Sequence, residues 1–235
     1  WTFGGWIFLA ALAQIFAQAL LIHLFSYRNF AVGTAYSRTE PAQAALFGLI
    51  FLSETVSWVV LLAIGISVAG VMLISISRTE LKPSALVTSL STRSVVIGLC
   101  SGTFFGIAAV GYRAASLSLV GPNFLMQGAI TLCSAILFQT ILMVVFIALH
   151  NPREMRTIIA AWKPAMAVGF VGASASFGWF TAMTLEKAAV VKAVAQIEMI
   201  FAFASTVLVF KEKINGLEVA GCSAIVIGIL VLLIA

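Results

Sequence analysis

Four ionisable residues stand inside long apolar runs of this chain: Arg38, Glu40, Lys192 and Glu198. A charge at membrane depth is costly, so such residues mark substrate or ion pathways by default. Thr34 and Arg38 are four residues apart, as are Lys192 and Gln196, so each pair shares one helix face. Two such faces meeting would line a polar cavity, with Arg38 and Lys192 attracting an anionic group such as a carboxylate. The competing reading is that both cations reach along their helices to the headgroups. Glu40 and Glu198 suit a coupling role, because low dielectric favours a carboxyl's neutral form and lets it take up and release protons. The alternative is a structural carboxyl bonded to a neighbouring helix or paired with a nearby cation. Glu40 also precedes Pro41, which frees a backbone carbonyl and can kink a helix. Gln14, Gln18, Tyr36 and Trp179, with His23 and Gln127, offer hydrogen bonds or stacking, or act as polar glue between helices.

These residues belong to a repeat. Glu40, Glu54 and Gly70 are spaced as Glu198, Glu212 and Gly228 are, at an offset of 158 residues. Ala17 and Ala175, Ala31 and Ala189, and Val32 and Val190 also coincide at that offset. A self-match at fixed spacing marks an internal repeat. It brings Thr34 onto Lys192 and Arg38 onto Gln196.

The elements that must position these groups are helices in a bilayer. The chain is 62% hydrophobic and 9% charged, with mean hydropathy +1.15. A soluble domain carries about 25% charged residues, so a polytopic membrane protein is expected. Eight spans can be drawn, each near the ~20 residues a bilayer requires: Trp6–Phe25, Phe30–Leu52, Val56–Ser75, Ser94–Ala114, Phe124–Leu149, Pro164–Leu185, Ala188–Phe210 and Leu217–Ala235. None alternates with period two, which excludes barrel strands. Residues 1–76 then form the last three helices of a first repeat, 77–93 a linker, and 94–235 a complete five-helix repeat. About 64 residues of the first repeat are expected upstream, enough for two spans. An odd number of helices per unit inverts the second unit, the arrangement of many secondary transporters.

The net charge of +5 comes mostly from residues in the breaks between spans, so it sets membrane orientation rather than nucleic-acid binding. Nine basic residues fall on the linker side and two, Arg113 and Lys187, on the other, which makes the linker side cytoplasmic. Cys100, Cys133 and Cys222 lie in apolar runs and read as buried free thiols. With only His23 and His150, no metal framework is expected. Gly98, Gly102 and Gly106 form a ridge for close helix packing, and Glu54 and Glu212 read as caps of the helices that follow. No HExxH, GxSxG or Walker loop occurs, so neither a catalytic constellation nor a nucleotide site is expected.

The segments EPAQAALFGLIFLSE (Glu40–Glu54) and EMIFAFASTVLVFKE (Glu198–Glu212) resemble the helix-four-to-five region of each half of the EamA-type drug/metabolite transporter family. Ser53 and Lys211 stand where that family usually has glycine, and Met199 where it has proline. The resemblance implies ten helices in two inverted units, and a bacterial inner-membrane carrier exporting amino acids, other metabolites or drugs. It also implies cytoplasmic termini, which puts the linker outside, opposite to the charge count.

The expected function is a secondary transporter of a small organic solute by alternating access, an exporter of amino acids or related metabolites. Protons or a counter-solute would couple it, with no cofactor and with a homodimer as one possible assembly. The rival readings are a non-transporting sensor or binding subunit, a drug efflux carrier of the same fold, and an intramembrane enzyme.

Overall fold

The computed structural model describes residues 2–27, 30–77, 93–121, 123–209, 211 and 215–234. Arg78, Glu80 and Lys82 of the expected linker, with Arg28, Glu212 and Lys213, lie outside the described residues. The helices are α1 (Thr2–Leu24), α2 (Phe30–Ser37), α3 (Glu40–Leu52), α4 (Trp58–Ser77), α5 (Arg93–Leu117), α6 (Phe124–His150), α7 (Pro152–Ala160), α8 (Trp162–Leu185), α9 (Ala188–Val194), α10 (Glu198–Leu208) and α11 (Gly216–Ile234). A 3₁₀ turn at Ala195–Ile197 joins α9 to α10. There is no strand among the described residues. Helices satisfy their own backbone polar groups, which a bilayer without water demands.

Among the described residues, seven stretches are long and apolar enough to cross a membrane. The expected span Phe30–Leu52 is not one continuous helix. It divides into α2 and α3 at Arg38–Thr39, because Pro41 sits in the first turn of α3 and its ring excludes the preceding helical turn. The span expected over Ala188–Phe210 is broken at the equivalent place by the tighter 3₁₀ turn, with no proline to cause it. The 151–161 break holds α7, a short helix with no buried residue, as an interfacial segment requires.

The core is built from small residues. Ala10, Ala13, Ala108, Ala109 and Ala115 are buried where α1 meets α5. Without a hydrophobic drive between helices in lipid, close backbone approach supplies the packing. The glycine ridge of α5 lies against α2 and α3. A Cβ at Gly102 would stand 2.8 Å from the Ser37 carbonyl oxygen, and one at Gly106 3.2 Å from the Ala44 nitrogen. The crossing of α4 and α11 is also close. Cβ atoms added at Gly70 and at Gly221 would each lie 2.6 Å from the other glycine's carbonyl oxygen. A Cβ at Gly228 would lie 2.8 Å from the Ala63 carbonyl oxygen. Residues 63 and 221, and 70 and 228, are partners at the 158 offset, so the second contact is the first with the helices exchanged.

The cysteines are free, but Cys100 and Cys133 are exposed rather than buried. Lipid is as apolar as a protein interior, so an apolar run does not say which face turns inward. Glu54 does not cap α4 either: Ser57 does, its Oγ accepting from the Val60 nitrogen at 3.2 Å.

Two residues other than glycine have positive φ among the described residues, Ser53 (53°) and Lys211 (54°). They are offset partners, and they occupy the positions where the resembled family carries glycine. Ser53 closes α3 in the left-handed conformation, with the Glu54 nitrogen donating to the Gly48 carbonyl oxygen at 3.1 Å. A residue with a Cβ costs about 1 kcal/mol there.

Two predictions follow from the backbone. Ser53→Gly should raise the melting temperature in detergent by roughly 2–4 °C, whereas Ser53→Val should lower it; a drop with glycine would contradict the left-handed cap. Gly70→Val should overpack the α4–α11 crossing and cost about 2 kcal/mol. The matched control is Gly169→Ala on α8, where an added Cβ meets nothing within 4 Å; it should be neutral or stabilising.

Candidate functional site

The two helix breaks face each other. Arg38, in the turn between α2 and α3, forms an ion pair with Glu198, the first residue of α10. Lys192 on α9 places its Nζ 2.8 Å from Glu40 Oε1, at the start of α3. Gln196, in the 3₁₀ turn, donates from Nε2 to the Arg38 carbonyl oxygen at 3.2 Å. Broken helices expose backbone groups at membrane depth, which is tolerated only where they line a cavity or are buried in protein.

The contacts are reciprocal. Arg38 and Gln196 are offset partners, so their hydrogen bond joins a position to its own counterpart. Glu40 and Glu198 are counterparts too, and each takes a cation from the opposite break. The Lys192–Glu40 pair is the more enclosed, with side-chain exposures of 21% and 16% against 44% and 49% for Arg38 and Glu198. The cations expected to draw in an anion are therefore each matched by a carboxylate. The four side chains sum to no net charge.

A cavity of about 250 Å³ opens among these groups, walled by Arg38, Glu40, Lys192, Gln196, Glu198 and Trp179. Lys192 Nζ also lies 5.2 Å from the centre of the Trp179 ring, within cation–π range. A second cavity, of about 190 Å³, shares Phe105, Trp179 and Lys192 with the first and includes Gln14. Gln14 Oε1 accepts from the Tyr112 hydroxyl at 2.5 Å and from Gln139 Nε2 at 2.9 Å. Of the residues expected at a binding site, the structure thus brings together Arg38, Glu40, Lys192, Gln196, Glu198, Trp179 and Gln14. Three are placed elsewhere. Gln18 is exposed on α1, Tyr36 packs beside Val95 and Leu99, and Thr34 lines neither cavity.

Sequence reasoning missed a third polar cluster. Arg113 reads as a loop charge but is buried near the end of α5. Its Nε donates to Glu54 Oε1 at 2.6 Å, and its Nη1 donates to the carbonyl oxygens of Met183 at 2.8 Å and Glu186 at 2.5 Å. The guanidinium fork holds the α3–α4 turn, α5 and the end of α8 together. Lys187 adds a bond from Nζ to the Thr55 carbonyl oxygen at 2.5 Å. Sequence held one signal for it: Arg113 and Glu54 are charges at the ends of apolar runs on the same side of the membrane.

Among the described residues no group of three or more metal-ligating side chains is clustered. No curated protein matches the chain. With its membrane-length helices, its two facing breaks and a match of residues 92–234 to the family's sequence model, the chain belongs to the EamA-like transporter family.

Proposed function

We propose that this transporter carries a small zwitterionic solute, an amino acid or close relative, by alternating access between two inverted five-helix units. The observation that carries the reading is the pair of crossed ion pairs, Arg38 with Glu198 and Lys192 with Glu40, lining one cavity at two helix breaks. Discontinuous helices of this kind hold the substrate site in many secondary transporters. Opposite charges from the two halves suit a solute with both charges. Its carboxylate would take a cation from one break, and its ammonium a glutamate from the other. Each internal pair would be exchanged for a solute pair, so no charge is left bare at membrane depth. Removing one member of an enclosed pair costs about 3–5 kcal/mol, and substrate exchange avoids that cost.

In this reading residues 1–76 belong to the first unit, 77–93 join the units, and 94–235 form the second. Export from a bacterial inner membrane is the direction and place the family suggests. Glu198 is the more open of the two carboxylates, at 49% side-chain exposure against 16% for Glu40. It is the better placed to exchange a proton with water, and Glu40 to keep Lys192 charged.

Counterflow in proteoliposomes loaded with mixed L-amino acids tests the site. Lys192→Ala should lower exchange at least about tenfold, the equivalent of 1.4 kcal/mol. The double variant Lys192→Met/Glu40→Met should recover expression, because no lone charge remains, and should not recover exchange. Wild-type exchange from the double variant would remove this ion pair from the transport site.

Coupling has its own test. Glu198→Gln should abolish the response of flux to an imposed pH gradient, beyond what it costs solute-for-solute exchange. Flux that keeps its pH dependence would exclude Glu198 as the proton carrier. Direction is read by profiling metabolites in medium and cytosol of cells with and without the gene. Export predicts solute gained in the medium, and gain in the cytosol would reverse the direction.

A further inference from the structure

We infer that the second cavity is a side-chain subsite for an aromatic amino acid; this rests on the carrier reading and narrows its substrate class. The cavity shares its Trp179–Lys192 wall with the charged one. A solute whose ionic end lies among the four charges therefore has its side chain directed there. Four of the lining side chains are aromatic: Phe105, Tyr112, Trp179 and Phe180. The Tyr112 and Phe180 ring centres lie 4.6 Å apart, inside the range for productive ring packing. Such walls favour a flat ring over a branched aliphatic chain of equal area.

Gln14 adds a directional element. Its Oε1 already accepts two hydrogen bonds, from Tyr112 and Gln139. That fixes the orientation of the amide and leaves its NH₂ as the donor offered to the cavity it lines. An aromatic face or a ring hydroxyl accepts such a donor, whereas a methyl group does not. Lys192 is the single ionisable cation or carboxylate in this wall, so the side chain it takes is neutral.

The cavity also has a floor. Met183 lines it, and the Met183 carbonyl oxygen is held by buried Arg113. At about 190 Å³ it has room for one ring system. Tyr112, Phe180, Gln139 and Met183 thus join the expected residues as determinants of which solute is carried.

The test is counterflow of labelled L-phenylalanine, L-leucine and L-alanine by the protein in liposomes. Phenylalanine should exchange at least about tenfold better than alanine, with leucine between them. Ser176→Phe, which fills the cavity from a half-exposed position on α8, should abolish that preference and preserve alanine exchange. Ser176→Leu, a smaller filling at the same position, should shift the preference the same way, and serves if the first variant does not fold. Alanine exchanged as well as phenylalanine by the unmodified protein would overturn the subsite and leave the carrier standing. Parallel loss of all three solutes in both filled variants, with protein present in the liposomes, would also overturn it. Exchange of none of the three by the unmodified protein would overturn the amino-acid reading itself, and the subsite with it.

Discussion

A charge in a bilayer needs a partner, and the pairing of Arg38 with Glu198 and of Lys192 with Glu40 is what the middle of this protein is arranged to supply. Each partner comes from a different helix break. Neither break is self-sufficient: its cation and carboxylate stand two residues apart at Arg38 and Glu40 and six apart at Lys192 and Glu198, and neither spacing puts them on one helix face. Bringing the breaks together satisfies both and satisfies the loosened backbone as well, as the Gln196 bond to the Arg38 carbonyl oxygen shows. The tight glycine crossings are then a requirement. Long side chains at Gly70, Gly102 or Gly221 would hold the helices apart and separate the charges.

The polar features form three groups. The crossed pairs lie at the breaks, the Gln14–Tyr112–Gln139 network lies beyond Trp179, and the Arg113 cluster lies at the end of α5 and α8. Arg113 ties the α3–α4 turn to the end of α8, so that end of the bundle is cross-linked through one buried guanidinium. An alternating-access cycle in which that end opens must release four hydrogen-bonding partners of Arg113 together. Charge-assisted bonds of this kind are individually strong and jointly cooperative. The cluster adjoins the second cavity through Met183, whose side chain lines it and whose carbonyl oxygen accepts from Arg113.

What sequence made legible follows from contrast. Arg38, Glu40, Lys192 and Glu198 stood out because their surroundings are apolar, and Pro41 announced the first break. The second break lacks a proline, so only the 158-residue offset pointed to it. Arg113 was misread because a charge at the end of an apolar run looks like a loop charge until a partner helix end is placed over it. Pairing of each carboxylate with a cation was one of the readings left open: spacing along a helix shows which residues share a face, but not which face opposes it. Inward and outward apolar positions were indistinguishable for Cys100 and Cys133, since lipid and protein interior make the same demand. Ser53 and Lys211 gave a different signal. They read as departures from a glycine pattern, and the structure places both in the left-handed conformation that explains the pattern.

The proposed inversion of the two units gains support from the order of the contacts. Along the first break the partners run from Arg38 to Glu40, while their partners on the second run backward from Glu198 to Lys192. The glycine crossing does the same: contacts advance from Ala63 to Gly70 on α4 and retreat from Gly228 to Gly221 on α11. Paired segments that exchange at one fixed offset and run in opposite directions are related by a twofold axis perpendicular to them. For helices crossing a membrane such an axis lies in the membrane plane, not along its normal. A repeat built on an axis along the normal would leave equivalent helices parallel, and the two breaks would then present their charges at matching depth in the same order. With an in-plane axis each half meets the other upside down, and Arg38 meets its own counterpart Gln196 there.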